Sequence, residues 1–444
     1  LFLNNVNSRR FMDNAALMDR DLRHIWHPCT QMKDHETLPL IPIKEGKGVY
    51  LYDFDSNRYI DAISSWWVNL FGHSNEYINK KVKEQLESLE HVIFAGFTHE
   101  PIVKLSERLV KLAPQGLNRC FYADNGSSAI EVALKMSFHY FKNLGRIKPY
   151  FVSLTNSYHG ETIGALSVGD VSLYKETYKE ILIRAIHAPV PVDRSEEAAY
   201  EAAAALKSIF EKRGEEISAF ILEPLVQCAG YMHMYSPLYL KLAAELCKEY
   251  GIHLIADEIA VGFGRTGTMF ACEQGGITPD FMTLSKGLTG GYLPLSVVLT
   301  TDEIYSAFYC DYNEYKAFLH SHSYTGNPLA CSAANATLDI FERENVLERN
   351  GAKIEYIAKG LERFKELKNI KDIRQCGMIA AVELEGYDPL ERVGLKIYKR
   401  SLQNGVLLRP LGNVVYFMPP YVIDYEQIDT VLNVAYDAIR AVAR

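Results

Sequence analysis

Two short apolar runs, each ending on a reactive side chain, constrain this chain more than any other feature it carries. His253-Leu-Ile-Ala256 ends on Asp257 and Glu258, and Phe281-Met-Thr-Leu284 ends on Ser285-Lys286-Gly287. Short apolar runs bounded by Gly, Pro or charge are how strands buried on both faces of a parallel sheet read. In open α/β sheets, ligands collect where such strands end. One strand end therefore offers a carboxylate. Another offers a lysine, followed by the small-residue loop Gly287-Leu-Thr-Gly-Gly291.

Taken singly, Asp257 reads as a loop-capping acid and Lys286 as a surface lysine. Together and in this order they meet the needs of pyridoxal phosphate. That cofactor is held as a Schiff base to a lysine, and an acid keeps its pyridine nitrogen protonated. The expected roles are Asp257 on the ring nitrogen and Lys286 as covalent anchor and proton shuttle. The nearby Gly262-Phe-Gly264-Arg-Thr-Gly267 has the spacing of a dinucleotide fingerprint. That fingerprint must open a helix directly after a strand. Here Gly275-Gly276 and Pro279 follow too soon for a crossover helix, so the dinucleotide reading is set aside.

A chain of 444 residues can bury a large core and is expected to form a two-lobed enzyme. Its net charge of −8 implies no strongly basic face, so a nucleic-acid partner is not expected. No apolar run approaches the roughly 18–20 residues that cross a membrane. The eight cysteines form no Cys-x-x-Cys pair and no secretory leader is apparent, which suggests a cytoplasmic protein with free thiols. Residues 1–20 are read as a disordered extension outside the fold. His320-Ser-His322 lacks a third ligand at useful spacing, so no metal is expected.

Strand and helix signals alternate from about residue 120 to 300, giving an α/β fold with a mainly parallel sheet and helices on both faces. Ahead of it, residues 48–62 alternate like a β-hairpin. Adjacent Trp66 and Trp67 cannot face one core from a regular element, so one is expected to line a cavity. Phe121-Tyr-Ala-Asp-Asn-Gly-Ser-Ser128 leads from a strand through a turn into a helix. Free amides and hydroxyls at such a helix start bind anions, so Gly126 and Ser127 are assigned to the cofactor phosphate. The plainer alternative is a serine N-cap. Tyr158, at a strand end beside Gly160, suits an aromatic covering a flat ring. Arg409 ends the apolar run Val406-Leu-Leu408, where a guanidinium needs a carboxylate partner, either structural or a substrate's. The expected organisation is residues 21–75 as the N-terminal part of a small lobe, 76–335 as the cofactor-binding domain and 336–444 as a C-terminal α+β domain.

These stretches together are recognisable. His24-Ile-Trp-His-Pro28, Ser64-Ser-Trp-Trp67, Ala123-Asp-Asn-Gly-Ser127, Asn156-Ser-Tyr-His-Gly160, the run from Ala256 to Gly267, Gly326-Asn-Pro-Leu-Ala330, Arg409-Pro410 and Met418-Pro-Pro-Tyr421 carry the likeness. The chain resembles the class III, ω-type pyridoxal-phosphate aminotransferases over nearly its whole length. The resemblance implies a fold-type-I homodimer whose active sites are shared between subunits. It implies that Gly126 and Ser127 hold phosphate, Tyr158 stacks near the ring, Asp257 meets the pyridinium and Lys286 carries the cofactor. It further implies that Trp66 lines a keto-acid pocket and Arg409 takes a substrate carboxylate. Ser321, His322 and Ser323 would reach the neighbouring subunit's cofactor phosphate and substrate. Two positions depart from relatives that use S-adenosylmethionine as amino donor. Cys29 stands where they carry tyrosine, and Ser321-His-Ser323 replaces Gly-Pro-Thr, closer to relatives that use lysine.

Overall fold

The strand–helix alternation builds a seven-stranded sheet in the computed structural model, which describes residues 13–442. In chain order the strands are β1 (Leu117–Ala123), β2 (Tyr150–Leu154), β3 (Ile186–Ala188), β4 (Ile217–Leu222), β5 (His253–Asp257), β6 (Phe281–Leu284) and β7 (Ser296–Thr301). Across the sheet they lie β1-β7-β6-β5-β4-β2-β3. The strands from β3 to β6 are mutually parallel, while β7 runs antiparallel to both neighbours. Three helices matter below: α1 (Asn14–His24), α2 (Gly126–Asn143) and α3 (Ser172–Lys175).

Successive side chains of a strand point to opposite faces, and here both faces are covered. Phe151, Ile221, Ile255, Phe281 and Val298 pack with the inner face of α2. Their chain neighbours Val152, Phe220, Leu254, Met282 and Val297 pack into the main core on the other side. Double-sided burial is why these segments read as continuous apolar runs rather than alternating ones.

Both chain ends contribute to a smaller α+β lobe. Strands Ile43–Lys47, Tyr50–Asp53 and Arg58–Asp61 form the expected hairpin region, and Val406–Leu407 joins it parallel to Arg58–Asp61. A second small sheet pairs Ile370–Cys376, Ile379–Leu384 and Val414–Phe417. Arg265 pins this lobe to the large domain. It is fully buried, donating from Nη1 to the Pro419 carbonyl (2.8 Å) and from Nη2 to that of Asn69 (3.0 Å). The Gly262–Gly267 stretch around it forms turns and opens no helix.

The reading of residues 1–20 as an extension needs correction. Residues 1–12 lie outside the described part of the chain, but Asp13 caps α1 by accepting from Ala16 N (2.7 Å). Asn14 donates to Asp53 Oδ2 (3.0 Å) and accepts from Phe54 N (3.1 Å). No residue of α1 is buried, so caps and polar bonds to a turn hold it, and these leave no apolar stripe to read. Among the described residues no helix is long and apolar enough to cross a membrane.

Candidate active site

The C-terminal ends of β1, β2, β4, β5 and β6 converge on a cavity of ≈ 390 Å³, within the range of small-ligand sites. Trp67, Gly126, Ser127, Tyr158, Asp257 and Lys286 line it. The parallel register sets Asp257 beside Thr283, so the acid at the end of β5 and the lysine just beyond β6 open into one space.

Asp257 is buried and tightly held. His159 Nδ1 donates to its Oδ2 (2.7 Å), and Ile259 N donates to its Oδ1 (3.1 Å). Bonding through Nδ1 fixes the imidazole, whose buried Nε2 has no partner. Glu223, beyond the end of β4, accepts from Tyr158 N (2.9 Å) and Cys228 N (3.1 Å), which anchors the Tyr158 turn. Burial, and then the nearby Asp257, push the Glu223 carboxyl well above its usual range. Lys286 is partly buried, with Nζ 5.3 Å from the Trp67 ring centroid. Burial lowers the basicity of its amine, opposed by Asp257, Cys228 and Glu223. Its φ of 42° lies in the left-handed region that non-glycine residues seldom occupy, a local strain that clusters at functional sites.

On the other side, Asn125 caps α2 by accepting from Ser128 N (3.0 Å), which leaves the first amides of the helix facing the cavity. Ser127 Oγ accepts from Glu161 N (3.2 Å). Gly160, at φ +128°, closes over this point. A Cβ there would fall 2.0 Å from Ser127 Oγ, so the loop tolerates only glycine at this contact. The donor set suits pyridoxal phosphate: an amine for the aldehyde, a buried carboxylate for the ring nitrogen, and a helix start with a hydroxyl for the phosphate.

Trp66 and Arg409, expected in the substrate pocket, do not line the cavity; with Cys29 and Tyr174 they cluster beside it, joined to it through the contact of the Tyr174 and Tyr158 rings. Ser64, Ser65 and Trp67 all take positive φ, which turns the two tryptophans apart. Trp67 goes inward and donates from Nε1 to Tyr416 Oη (3.0 Å), whereas Trp66 stays 40% exposed beneath the Arg409 guanidinium, 4.7 Å from its ring centroid. Arg409 Nη2 reaches only the Cys29 carbonyl (3.4 Å), and no carboxylate pairs with it among the described residues. Ser321, His322 and Ser323 do not line the cavity of their own chain. His322 Nε2 lies 3.3 Å from His320 Nε2, and the Ser323 carbonyl meets His91 Nε2 (2.7 Å). Sequence reasoning passed over His159, Glu223, Trp67 and Tyr174. The first lies inside a recognised motif, and the second was visible as the acid ending a strand.

A lysine, a buried acid and a phosphate cradle at the ends of a mainly parallel sheet define a pyridoxal-phosphate enzyme. The chain belongs to the class-III aminotransferases, whose family model matches residues 31–439. It is similar to the adenosylmethionine-8-amino-7-oxononanoate aminotransferase of Helicobacter pylori, 54% identical over 424 residues and covering 94% of this chain and 96% of the relative. The enzyme of that name from Geobacter sulfurreducens is 43% identical, covering 95% and 96%. Among solved structures, that of the Methanocaldococcus jannaschii enzyme of the same name superposes with a TM-score of 0.93 at 38% identity, covering 97% of this chain and 99% of the other. The ω-transaminase from Pseudomonas jessenii in complex with PMP gives 0.91 at 29% identity, covering 96% and 98%. The fold is that of the type I pyridoxal-phosphate transferases, and pyridoxal phosphate is the cofactor.

Proposed function

We propose that this enzyme moves an amino group from S-adenosylmethionine to 8-amino-7-oxononanoate, giving 7,8-diaminononanoate for biotin synthesis. The observation that carries the reading is Arg409, a guanidinium beside the cavity stacked on Trp66, with no carboxylate partner among the described residues. An aliphatic keto acid with one distal carboxylate would lay its chain along Trp66 and place its charge on Arg409. The names of the relatives at up to 54% identity support the same acceptor and donor.

When bound, pyridoxal phosphate supplies the carbonyl carbon that receives and returns the amino group, and a ring that draws electrons from it. Asp257 would hold a proton on the ring nitrogen, and His159 fixes the orientation of Asp257. The amine of Lys286, kept less basic by burial, takes the proton from the carbon bearing the donor nitrogen. Gly126 and Ser127 would hold the phosphate, and Tyr158 and Trp67, which also line the cavity, would help to exclude water.

The active unit is a homodimer in which Ser321, His322 and Ser323 complete the partner's phosphate and substrate sites. Exposed apolar side chains flanking that loop support this, with Leu319 92% and Tyr324 65% exposed. Eight free cysteines fit a reducing, cytoplasmic setting.

The test is a half-reaction. The holoenzyme is mixed with S-adenosylmethionine, and with lysine separately, while cofactor absorbance is followed; the keto acid is then added and diaminononanoate is measured. Bleaching by S-adenosylmethionine followed by product is the expected outcome. Bleaching by lysine alone would displace the donor, and strong activity with ornithine or 4-aminobutyrate would displace the acceptor. Arg409→Ala is expected to raise KM for the keto acid about 10- to 150-fold, the equivalent of a charge-assisted bond of roughly 1.5–3 kcal/mol. An equal loss with short uncharged amines would make Arg409 structural.

A further inference from the structure

We propose that Tyr174 is a specificity-determining residue, forming the wall of the mouth against which the amino donor lies and favouring donors that carry a positive charge. This rests on the amino-transfer reading above. α3 is a single turn on the surface, and its Leu173 is 75% exposed, yet Tyr174 turns inward. Its ring meets that of Tyr158 edge-to-face, 5.4 Å between centroids at 63°. The Cys29 thiol, Glu161 and Arg409 lie close enough to its hydroxyl to act on it electrostatically.

The turn is anchored from two sides. Lys175 Nζ donates to the carbonyls of Gly169 (2.7 Å) and Ser167 (3.3 Å) and meets His187 Nε2 (2.8 Å). Asp170 accepts from Asn156 N (3.0 Å) and donates its own N–H to the Ser157 carbonyl (2.8 Å). α3 is therefore tied to the strand end that carries Tyr158, and Tyr174 holds a fixed place against that cavity-lining ring.

In a two-stroke transfer, donor and acceptor bring their reacting atoms in turn to Lys286. The acceptor's carboxylate and chain use Arg409 and Trp66. The surface left for the donor is the Tyr158 and Tyr174 rings with the Cys29 thiol, edged by the Glu161 carboxylate, which accepts from Tyr158 Oη (3.0 Å). Aromatic faces beside a carboxylate favour an organic cation. The sulfonium of S-adenosylmethionine and the second ammonium of lysine share that chemistry.

The experiment compares wild type, Tyr174→Phe and Tyr174→Ala as holoenzymes in the two half-reactions, using S-adenosylmethionine, lysine and uncharged hexylamine as separate donors. Tyr174→Ala is expected to lower kcat/KM at least about tenfold for the charged donor the wild type accepts, mainly through KM, with changes under about threefold for hexylamine and for the keto acid. Tyr174→Phe keeps the ring and should stay within about threefold of wild type throughout. A similar fall in both half-reactions would make Tyr174 merely structural, and unchanged donor kinetics would remove its role; either overturns the proposal. A wild type inert to both charged donors overturns the donor reading itself, and this proposal with it.

Discussion

Lys286→Ala is expected to lower kcat by roughly 10⁴-fold or more, because one substitution removes both the covalent anchor and the base. Lys286 is the only lysine among the residues lining the cavity, so no second amine stands there to take its place. The loss should fall on the chemical step. Asp257 and Ser127 still bind the ring nitrogen and the phosphate, so the variant should take up cofactor while failing to bleach when donor is added. Absorbance titration with cofactor, followed by single-turnover mixing, separates the two. A variant that binds cofactor and turns over within about tenfold of wild type would remove Lys286 from the mechanism.

The same buried setting gives that step a pH dependence of known sign. Burial favours the neutral amine, so Lys286 acts as a base at lower pH than a solvated lysine does. The nearby Asp257 carboxylate works the other way. Taking charge from Asp257 should therefore move the acidic limb, where the Lys286-dependent rate rises with pH, to still lower pH.

What could be read from the sequence followed from how each residue makes its contacts. Asp257 and Lys286 end strands buried on both faces, and such strands leave a short apolar run with an abrupt polar stop. Gly126 and Ser127 follow a strand and open a long helix with its own period, so the helix start that lines the cavity was visible too. The two tryptophans were harder. Three positive-φ residues, Ser64, Ser65 and Trp67, decide which ring enters the cavity, and nothing in Ser-Ser-Trp-Trp announces that backbone. Tyr174 had no signal at all, since a four-residue helix has no period and its neighbours are exposed. His159 stood in a quoted motif, but its bond to Asp257 joins residues 98 apart in the chain, a distance only the sheet order closes.

Asp257→Asn isolates what the charge contributes beyond the shape. Asparagine keeps the volume and a carbonyl oxygen for Ile259 N, so the turn after β5 should survive. It cannot hold a proton on the ring nitrogen, and kcat is expected to fall by roughly 10²- to 10³-fold, the size typical of losing one preorganised charge partner in a closed site. His159 is the only ion-pair partner of Asp257 among the described residues, and no arginine neutralises the carboxylate. A buried anion with so little compensation calls for a cation in the space it faces, and a protonated ring meets that need. The distinguishing control is a cofactor analogue whose ring nitrogen carries a permanent methyl group and positive charge. It should restore a large part of the lost rate in Asp257→Asn and add nothing to wild type. If the variant instead keeps near-normal kcat, or the methylated cofactor leaves its rate unchanged, Asp257 serves the Ile259 turn and the ring is activated by some other group.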